Sequence, residues 1–195
     1  MGKLVVSEFV SLDGVFEAPG PGEEFEHAGW TFDFDRGEDG NRFKAQELMA
    51  ADAQLLGRVT YERFARAWPT MEGTGEFGEK MNSMPKYVVS STLHSANWQN
   101  STVLRGPLAE EIPAIKARHA GDVLVAGSGQ LVRGLLAHGL VDELRLMVFP
   151  TVLGAGKRLL SEGTTPTARL RLLESRPVGS DGVMVLSYAP ARKEG

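Results

Sequence analysis

Hydrophobic and polar positions along this chain follow two periodicities. Short apolar runs, typical of buried strands, alternate with segments whose apolar residues have helical spacing. The predicted strands cover residues 3–10, 53–56, 87–90, 102–104, 122–126 and 144–149. Strands that alternate with helices in this way predict an α/β protein with a largely parallel sheet.

The predicted helices lie between these strands. They cover 42–51, a segment directly after Gly57, part of 107–120, and 130–138. Gly121 and Gly139 follow two of them, where a left-handed residue commonly ends a helix. The apolar segments 169–174 and 182–188 have no helix between them, which predicts an antiparallel hairpin at the sheet edge. Residues 11–37 form a long irregular stretch, and such loops are usually functional or disordered.

Composition indicates a single domain, expected over residues 1–195. The chain is 42% hydrophobic and 24% charged, which is enough for a sizeable core. Its 21 basic and 25 acidic side chains leave a net charge of -4, without the basic surface that nucleic-acid binding requires. The sequence has no cysteine, no signal-peptide core and no apolar run near the ~20 residues that span a bilayer. We therefore expect a soluble, cytoplasmic protein without a membrane or nucleic-acid partner.

The segment GRVTYE, from Gly57 to Glu62, lies at a predicted strand-to-helix junction. A helix N-terminus offers free N–H groups and the positive end of its dipole, and a glycine lets a phosphate approach the backbone. Arg58 adds a guanidinium that can bind two phosphate oxygens. The pattern favours a phosphate site. The alternative is an ordinary helix start with Thr60 in its first turn and Arg58 paired with a surface acid.

A second glycine-rich junction, AGSGQL, spans residues 126–131. Ligands of open α/β sheets bind outside the carboxyl ends of strands, so two such junctions can hold opposite halves of one elongated ligand. The segment lacks the third glycine of the GxGxxG fingerprint, and the alternative is a tight turn with Ser128 as a helix cap. Ser90, Ser91 and Thr92 follow another strand and offer hydroxyls to a ribose or its phosphate.

Metal and hydrolytic sites have no support in the sequence. The histidines, at positions 27, 94, 119 and 138, lack metal-ligand spacing, and no Ser-His-Asp set can be assembled by spacing. We expect no metal, and we expect the acid-rich segment 23–39 to be a solvated surface.

Five segments, in order, resemble one family across nearly the whole chain. They are VSEFVSLDG, LLGRVTYE, KYVVSS, DVLVAGSGQLVRGLLAHGLVDEL and FPTVLGAGKRLL. They resemble the dihydrofolate reductase-like superfamily, and within it stand-alone proteins similar to the C-terminal reductase domain of the bifunctional riboflavin-biosynthesis deaminase-reductase. The resemblance implies a three-layer α/β/α fold with a mixed, mainly parallel sheet of about eight strands. It also implies NADPH along the sheet's carboxyl edge and a homodimer interface near residues 147–153.

The same resemblance implies a set of cofactor contacts. The matching positions are Gly57, Arg58, Thr60, Tyr61, Ser90, Ser91, Gly127, Ser128, Gly129, Gln130 and Leu131. The first four would hold the pyrophosphate, the two serines would face the adenosine ribose and its 2′-phosphate, and Gly127, Ser128 and Gly129 would lie beneath the nicotinamide half. Dihydrofolate reductases have a cis peptide in the last cluster, so the resemblance also implies a cis bond between Gly127 and Ser128.

The substrate would lie beside Ser11, Leu12, Asp13 and Gly14, according to the same resemblance. The candidate proton donors are Asp13 and Asp39, with Asn41 in place of Asp39 if the alignment slips by two residues. Trp30 either forms an aromatic wall of the substrate pocket or holds the long loop on the core.

Two hypotheses follow for function. The first is an NADPH-dependent reductase that transfers hydride to a small heterocycle of the pteridine or aminopyrimidine type. The second is a nucleotide-binding or regulatory protein that retains the groove without turnover. Val125 and Gln130 favour the second, because related reductases typically have a glutamate and an arginine at these places.

Overall fold

One eight-stranded sheet organises this computed structural model, which describes residues 1–160 and 168–191. The strands are β1 Leu4–Ser11, β2 Ala51–Gly57, β3 Lys86–Val89, β4 Ser101–Leu104, β5 Asp122–Val125, β6 Glu143–Phe149, β7 Leu170–Val178 and β8 Val183–Pro190. Their order across the sheet is β4-β3-β2-β5-β1-β6-β8-β7. Every pair from β4 to β6 is parallel, whereas β8 is antiparallel to both β6 and β7. The predicted mixed sheet and its C-terminal hairpin are confirmed.

The helices are α1 Gly37–Ala50, α2 Arg58–Ala67, α3 Gly75–Ser83, α4 Leu108–Arg118 and α5 Gly129–Ala137, with short 3-10 turns at Trp30–Asp33 and Trp68–Thr70. α2 begins directly after Gly57, as predicted. α1 begins five residues before the predicted start. The negative charges of Glu38 and Asp39 in its first turn interact favourably with the positive end of the helix dipole. In the described ranges, no helix is both long and apolar enough to cross a bilayer.

The helices cover both faces of the sheet, and adjacent residues of β2 show the two sides. Leu55 packs in a core with Ile112 of α4 and Leu135 of α5, whereas Leu56 packs in a second core with Leu48 of α1 and Met81 of α3. Because successive strand residues point to opposite faces, these two cores lie on either side of the sheet. The predicted three-layer α/β/α fold is confirmed.

The end of α4 differs from the prediction, although the end of α5 agrees with it. Gly139 is left-handed after α5, with φ 63°. Gly121 is not left-handed. Its N–H donates to the Asp52 carboxylate at 2.6 Å and does not close a helix. The added Cβ of any other residue at position 121 would lie 3.0 Å from the Ala50 carbonyl oxygen.

The strand order creates a switch point at the centre of the sheet. β5 lies between β1 and β2, and β6 pairs with the other edge of β1. The carboxyl ends of β2, β5 and β1 are therefore neighbours. In open α/β sheets this is where ligands bind.

Candidate functional site

The two glycine-rich junctions are in direct contact at this switch point. The Gly57 N–H donates to Ser128 Oγ at 2.9 Å, and Thr60 Oγ1 donates to the Gly127 carbonyl at 2.6 Å. These bonds join residues that are about seventy positions apart in the sequence, and they fix the first turn of α2 against the β5–α5 turn. The starts of α2 and α5 thus lie side by side at the carboxyl edge of the sheet.

Backbone groups, more than side chains, face outward at this contact. The hydroxyls of Thr60 and Ser128 are buried and bond to each other at 3.0 Å, so they hold the junctions together. Gly127 is exposed, with φ 64°, and an added Cβ would lie 3.1 Å from the Thr60 methyl carbon. The turn is therefore a backbone surface that only glycine permits, which suits the close approach of a ligand.

The predicted cis bond between Gly127 and Ser128 is wrong. No peptide bond in the described residues is cis. The left-handed backbone at Gly127 makes the turn, and the bond from Thr60 fixes its carbonyl with a trans peptide.

Arg58 extends from the start of α2, and its side chain is 43% exposed. Its Nη1 lies 3.0 Å from Glu62 Oε2, which is the surface pairing that the sequence left open as the alternative. An exposed pair four residues apart in a helix contributes only about 0.3–0.5 kcal/mol. Arg58 can therefore exchange Glu62 for a phosphate at little cost.

Tyr61 and Leu131, two of the predicted cofactor contacts, have side chains that face the core. The Tyr61 ring packs near Trp98, and its hydroxyl accepts the Trp98 backbone N–H at 2.9 Å. Leu131 belongs to the core beneath α4 and α5. Helical periodicity turns these positions toward the sheet, while Gln130 remains exposed.

Ser90 and Ser91 lie at the carboxyl end of β3 and play different parts. Ser90 Oγ is buried and accepts the Thr92 and Leu93 N–H groups at 3.2 and 2.9 Å, so it shapes the loop. Ser91 is exposed, and its carbonyl accepts a bond from Arg105 at 3.3 Å. Arg105 follows β4 and places a cation beside the predicted ribose position. Sequence reasoning missed it, although an arginine directly after a strand was an available signal.

Asp13, a predicted proton donor, accepts several hydrogen bonds. Ser11 Oγ donates to it at 2.6 Å, and the Leu153 and Gly154 N–H groups donate at 3.2 and 3.0 Å. These bonds, that of Ser11 above all, lower the pKa of Asp13 to about 2. Arg158 lies 3.5 Å away and adds a cation. Asp13 thus ties the segment after β1 to the segment after β6, and these contacts favour its carboxylate form; its role as proton donor stays a prediction.

The other predicted substrate positions form the tight turn around Asp13. Ser11 is buried and also accepts the Val15 N–H, while the Leu12 N–H donates to Thr151 and Gly14 is left-handed. The Leu12 side chain is exposed. It is thus the member of this turn that projects into solvent.

Asp39, the second predicted proton donor, lies near the surface of α1. Its carboxylate accepts the Gly179 N–H at 3.1 Å, and Arg176 lies 4.0 Å away. The alternative position, Asn41, is exposed and bonded to Arg36. Both lie on the solvent side of α1. The role of Asp39 as proton donor stays a prediction.

Trp30 holds the long loop on the core, which is one of its two predicted roles. It is 3% exposed, its Nε1 donates to the Glu17 carbonyl at 2.9 Å, and its ring meets Phe149 edge-on at 5.3 Å. Phe34 contacts the same phenylalanine at 5.8 Å. These contacts favour the loop-holding role, and the substrate wall stays an untested prediction.

Glu8 is the acidic residue that sequence reasoning missed at this site. It lies on β1 beside Leu146 of β6, two residues beyond the last β1–β5 pair, Val6 and Val125. Burial raises the pKa of Glu8 to about 7, although the backbone N–H groups of Gly127 and Ser128 and the charge of Lys44 oppose the shift. A single acid within an apolar strand was the available signal.

The opposite face of β1 carries a second polar group. Lys44 Nζ lies 2.6 Å from Ser7 Oγ and 2.7 Å from Glu47 Oε2. The partly exposed Phe9 ring has Lys44 Nζ at 5.0 Å and the Arg36 guanidinium carbon at 5.3 Å from its centre. An aromatic face with two cations thus lies between α1 and β1.

One segment of the long loop, 16–23, reaches over the β5–α5 turn. An added Cβ at Gly129 would lie 2.3 Å from the Phe16 ring, so this ring rests on the start of α5. Glu23 then forms an ion pair with Arg63 of α2. The segment therefore connects the start of α5 to the middle of α2, the two helices that meet at the site.

Two cavities open away from the junction glycines. One, of about 450 Å³, lies between the 3-10 turn Trp68–Thr70 and α3, and the other, of about 730 Å³, lies between α2 and the segment 93–99. Neither is lined by Gly57 or Gly127. We place the site at the junctions because two strand-to-helix turns meet there at the switch point of the sheet.

The chain has an eight-stranded mixed sheet, and the first turn of α2 meets the β5–α5 turn at its central switch point. This arrangement is the dihydrofolate reductase-like fold. Within that fold, the chain belongs to the RibD C-terminal domain family, whose model matches residues 2–184. The predicted family is confirmed.

Two relatives are uncharacterized proteins of Bacillus subtilis strain 168. YyaP is 28% identical over 144 residues, which cover 72% of this chain and 75% of YyaP. YwjB is 26% identical over 177 residues, or 91% of this chain and 92% of YwjB.

Solved structures share the fold at low identity. A Shewanella sp. PV-4 protein whose name assigns it to riboflavin biosynthesis has a TM-score of 0.76 at 20% identity, with 98% of this chain and 100% of that one covered. A pyrimidine reductase-like protein from Corynebacterium diphtheriae has a TM-score of 0.64 at 15% identity, with 98% and 93% covered. RibD from Acinetobacter baumannii has a TM-score of 0.67 at 16% identity, and this chain spans 58% of it.

Proposed function

We propose that this chain is an NADPH-dependent reductase of the riboflavin-pathway type that acts on a small heterocycle. The observation that carries the proposal is the contact between the two glycine-rich junctions at the switch point. Membership of the RibD C-terminal domain family supports a reductase. When bound, the dinucleotide would supply the hydride, and the chain's own residues would place the substrate.

The residues at the junctions fit a dinucleotide. The exposed backbone at Gly127 excludes any side chain, and the adjoining first turn of α2 has no acidic residue that would repel phosphate. Arg58 would bind the pyrophosphate, and the segment 16–23 would cover it. Arg105, together with Ser91, would bind the ribose 2′-phosphate, which distinguishes NADPH from NADH.

The substrate would lie at the carboxyl end of β1, beside the β5–α5 turn, with the Phe9 ring on the α1 side of that edge. An aromatic ring stacks well on a flat heterocycle, and Arg36 and Lys44 offer hydrogen-bond donors to its oxygen and nitrogen atoms. These features favour a pteridine or aminopyrimidine with acceptor groups at its rim. Arg36 also bonds to Asn41, and Lys44 to Ser7 and Glu47, so these bonds fix the two cations beside the ring.

The first test is a titration of the purified protein with NADPH and NADH, followed by tryptophan fluorescence. We expect NADPH to bind in the micromolar range and NADH more weakly. If neither binds below the millimolar range, the proposal is wrong. Oxidation of NADPH is then followed with a panel of pterin, dihydrofolate and aminopyrimidine substrates.

A second candidate function is a regulatory protein that binds the dinucleotide without turnover. The exposed Gln130 favours it, since a neutral side chain at the start of α5 attracts phosphate less than a cation would. NADPH that binds tightly but is not oxidised with any member of the panel would support this second function over the first.

We also propose a cytoplasmic homodimer. Two residues of the predicted interface around 147–153, Met147 and Phe149, are buried in the chain's own core, whereas Val152 is exposed. Exposed leucines at positions 170, 172 and 173 lie instead on β7, which ends the sheet. An apolar edge strand is a natural surface for a second copy.

A further inference from the structure

Glu8 is a buried acid that neither the family model nor the predicted contacts assign a role. It is 5% exposed, and its Oε1 has no hydrogen-bond partner within the described residues. Buried carboxyl oxygens are normally paired, because an unpaired charge in a protein interior is costly. A protonated carboxyl avoids most of that cost.

The position of Glu8 places this carboxyl under the ligand-binding edge. The backbone N–H groups of Gly127 and Ser128 are its neighbours, and Gly127 is the exposed, side-chain-free point of the β5–α5 turn. Glu8 and Gly127 each lie two residues beyond the last β1–β5 pair, Val6 and Val125, so they are neighbours at the carboxyl ends of these strands. In the groove proposed above, this is the nicotinamide half.

The charged groups around Glu8 come from α1. Lys44 favours the carboxylate, whereas Glu47 favours the neutral acid. Lys44 is itself paired with Glu47 at 2.7 Å, which reduces its effect on Glu8. The neighbour from β6 is Leu146, and the β5–α5 turn contributes backbone N–H groups. Burial therefore dominates, and it favours the protonated form.

We propose that Glu8 is the proton donor of the reductase, acting directly or through one water at Gly127. The inference rests on the proposed function. As the substrate carbon of a C=N or C=O bond receives hydride, the Glu8 O–H bond breaks and its proton goes to the substrate nitrogen or oxygen. The substrate gains two electrons and two hydrogens, the dinucleotide is oxidised by two electrons, and Glu8 becomes a carboxylate that solvent reprotonates.

A positively charged, oxidised nicotinamide would favour the carboxylate of Glu8, so the acid would release its proton more readily once the dinucleotide is oxidised. Asp13 and Asp39 are less suitable donors, because hydrogen bonds favour the ionised form of one and the other lies toward solvent.

The first test needs no turnover. In protein labelled with glutamate carrying a ¹³C carboxyl, we expect one wild-type resonance to titrate near neutral pH and to be missing in Glu8→Gln. Saturating NADP⁺ should shift that titration to lower pH, and NADPH should shift it less. A resonance that responds equally to both, or to neither, would overturn the proposal.

The second test compares NADPH oxidation by Glu8→Gln and Glu143→Gln across pH, with the substrate panel described above. Glu143 is the matched control, since it is also buried but lies at the start of β6, away from the site. Glu8→Gln should reduce kcat roughly 100-fold and remove the fall in rate that follows ionisation of the wild-type acid. Glu143→Gln should keep that fall.

The outcomes separate this inference from the proposed function. If no dinucleotide binds, or if none of the panel is reduced, both are wrong. If NADPH is oxidised and Glu8→Gln keeps the wild-type pH profile, only the role of Glu8 is wrong.

Discussion

Two arginines at the carboxyl edge of the sheet have different parts in the proposed cofactor site. We expect Arg58→Ala to weaken NADPH and NADH equally, because both dinucleotides have a pyrophosphate. Arg105→Ala should weaken NADPH alone, since only NADPH carries the 2′-phosphate. Loss of a charged hydrogen bond costs about 1.5–3 kcal/mol, or roughly a 10- to 100-fold loss of affinity. Fluorescence titration of both variants measures these changes.

Arg66→Ala is the control for this pair, because Arg66 lies in the last turn of α2, away from the junctions. Its affinities should equal those of the wild type. An Arg105→Ala variant that loses NADH as much as NADPH would contradict the assignment of the 2′-phosphate.

The acids show how far individual residues could be predicted. Asp13 stands at the motif position of a functional residue, but its pKa depends on the N–H groups of Leu153 and Gly154, which lie about 140 residues away in the chain. Glu8 is visible in the sequence as a polar break in an apolar strand. Its importance depends on burial under Gly127, which only the pairing of β1 with β5 reveals.

At the scale of elements, the segment 16–23 ties the start of α5 to α2 through Phe16 and the Glu23–Arg63 ion pair. We expect Glu23→Gln to speed both association and dissociation of NADPH, because the segment then opens more readily. A surface ion pair is worth up to about 1 kcal/mol, so the rates should rise roughly two- to fivefold. Stopped-flow fluorescence measures them.

Glu26→Gln is the matched control, since it removes the same charge from an exposed position of the same loop. It should leave both rates unchanged. Equal effects of the two substitutions would indicate a general effect of loop charge and contradict a role for the ion pair.

The elements also differ in how well the sequence predicted them. Strands with continuous apolar runs, such as β1 and β5, were predicted to within about two residues. α3 was missed, because Gly75 and Gly78 lower helix propensity and the helix depends on packing of Met81 into the core. Tertiary contacts, which a local pattern does not contain, decided that element.

For the whole molecule, the exposed leucines on β7 predict how two copies would meet. Leu172→Glu should convert a dimer to a monomer, since it places a charge in an apolar interface at the sheet edge. Sedimentation velocity measures the change. Val152→Glu is the comparison, because Val152 is the exposed apolar residue of the alternative surface around 147–153.

A wild-type protein that sediments as a monomer would contradict the homodimer. Dissociation by Val152→Glu, with the Leu172→Glu protein still dimeric, would move the interface to the segment after β6.

The insertion of β5 between β1 and β2 also bears on how the molecule acquires its site. β1 and β2 are both present in the first 60 residues, but neither pairs with the other, and the space between them is filled by a strand that begins at Asp122. The hydrogen bonds between α2 and the β5–α5 turn thus join parts of the chain that are distant in sequence, and contacts of that kind close slowly during folding. A nascent chain that ends before Asp122 has its Arg58 but no β5–α5 turn. Dinucleotide affinity should consequently arise late in folding, and it can serve as a reporter of the fully assembled sheet.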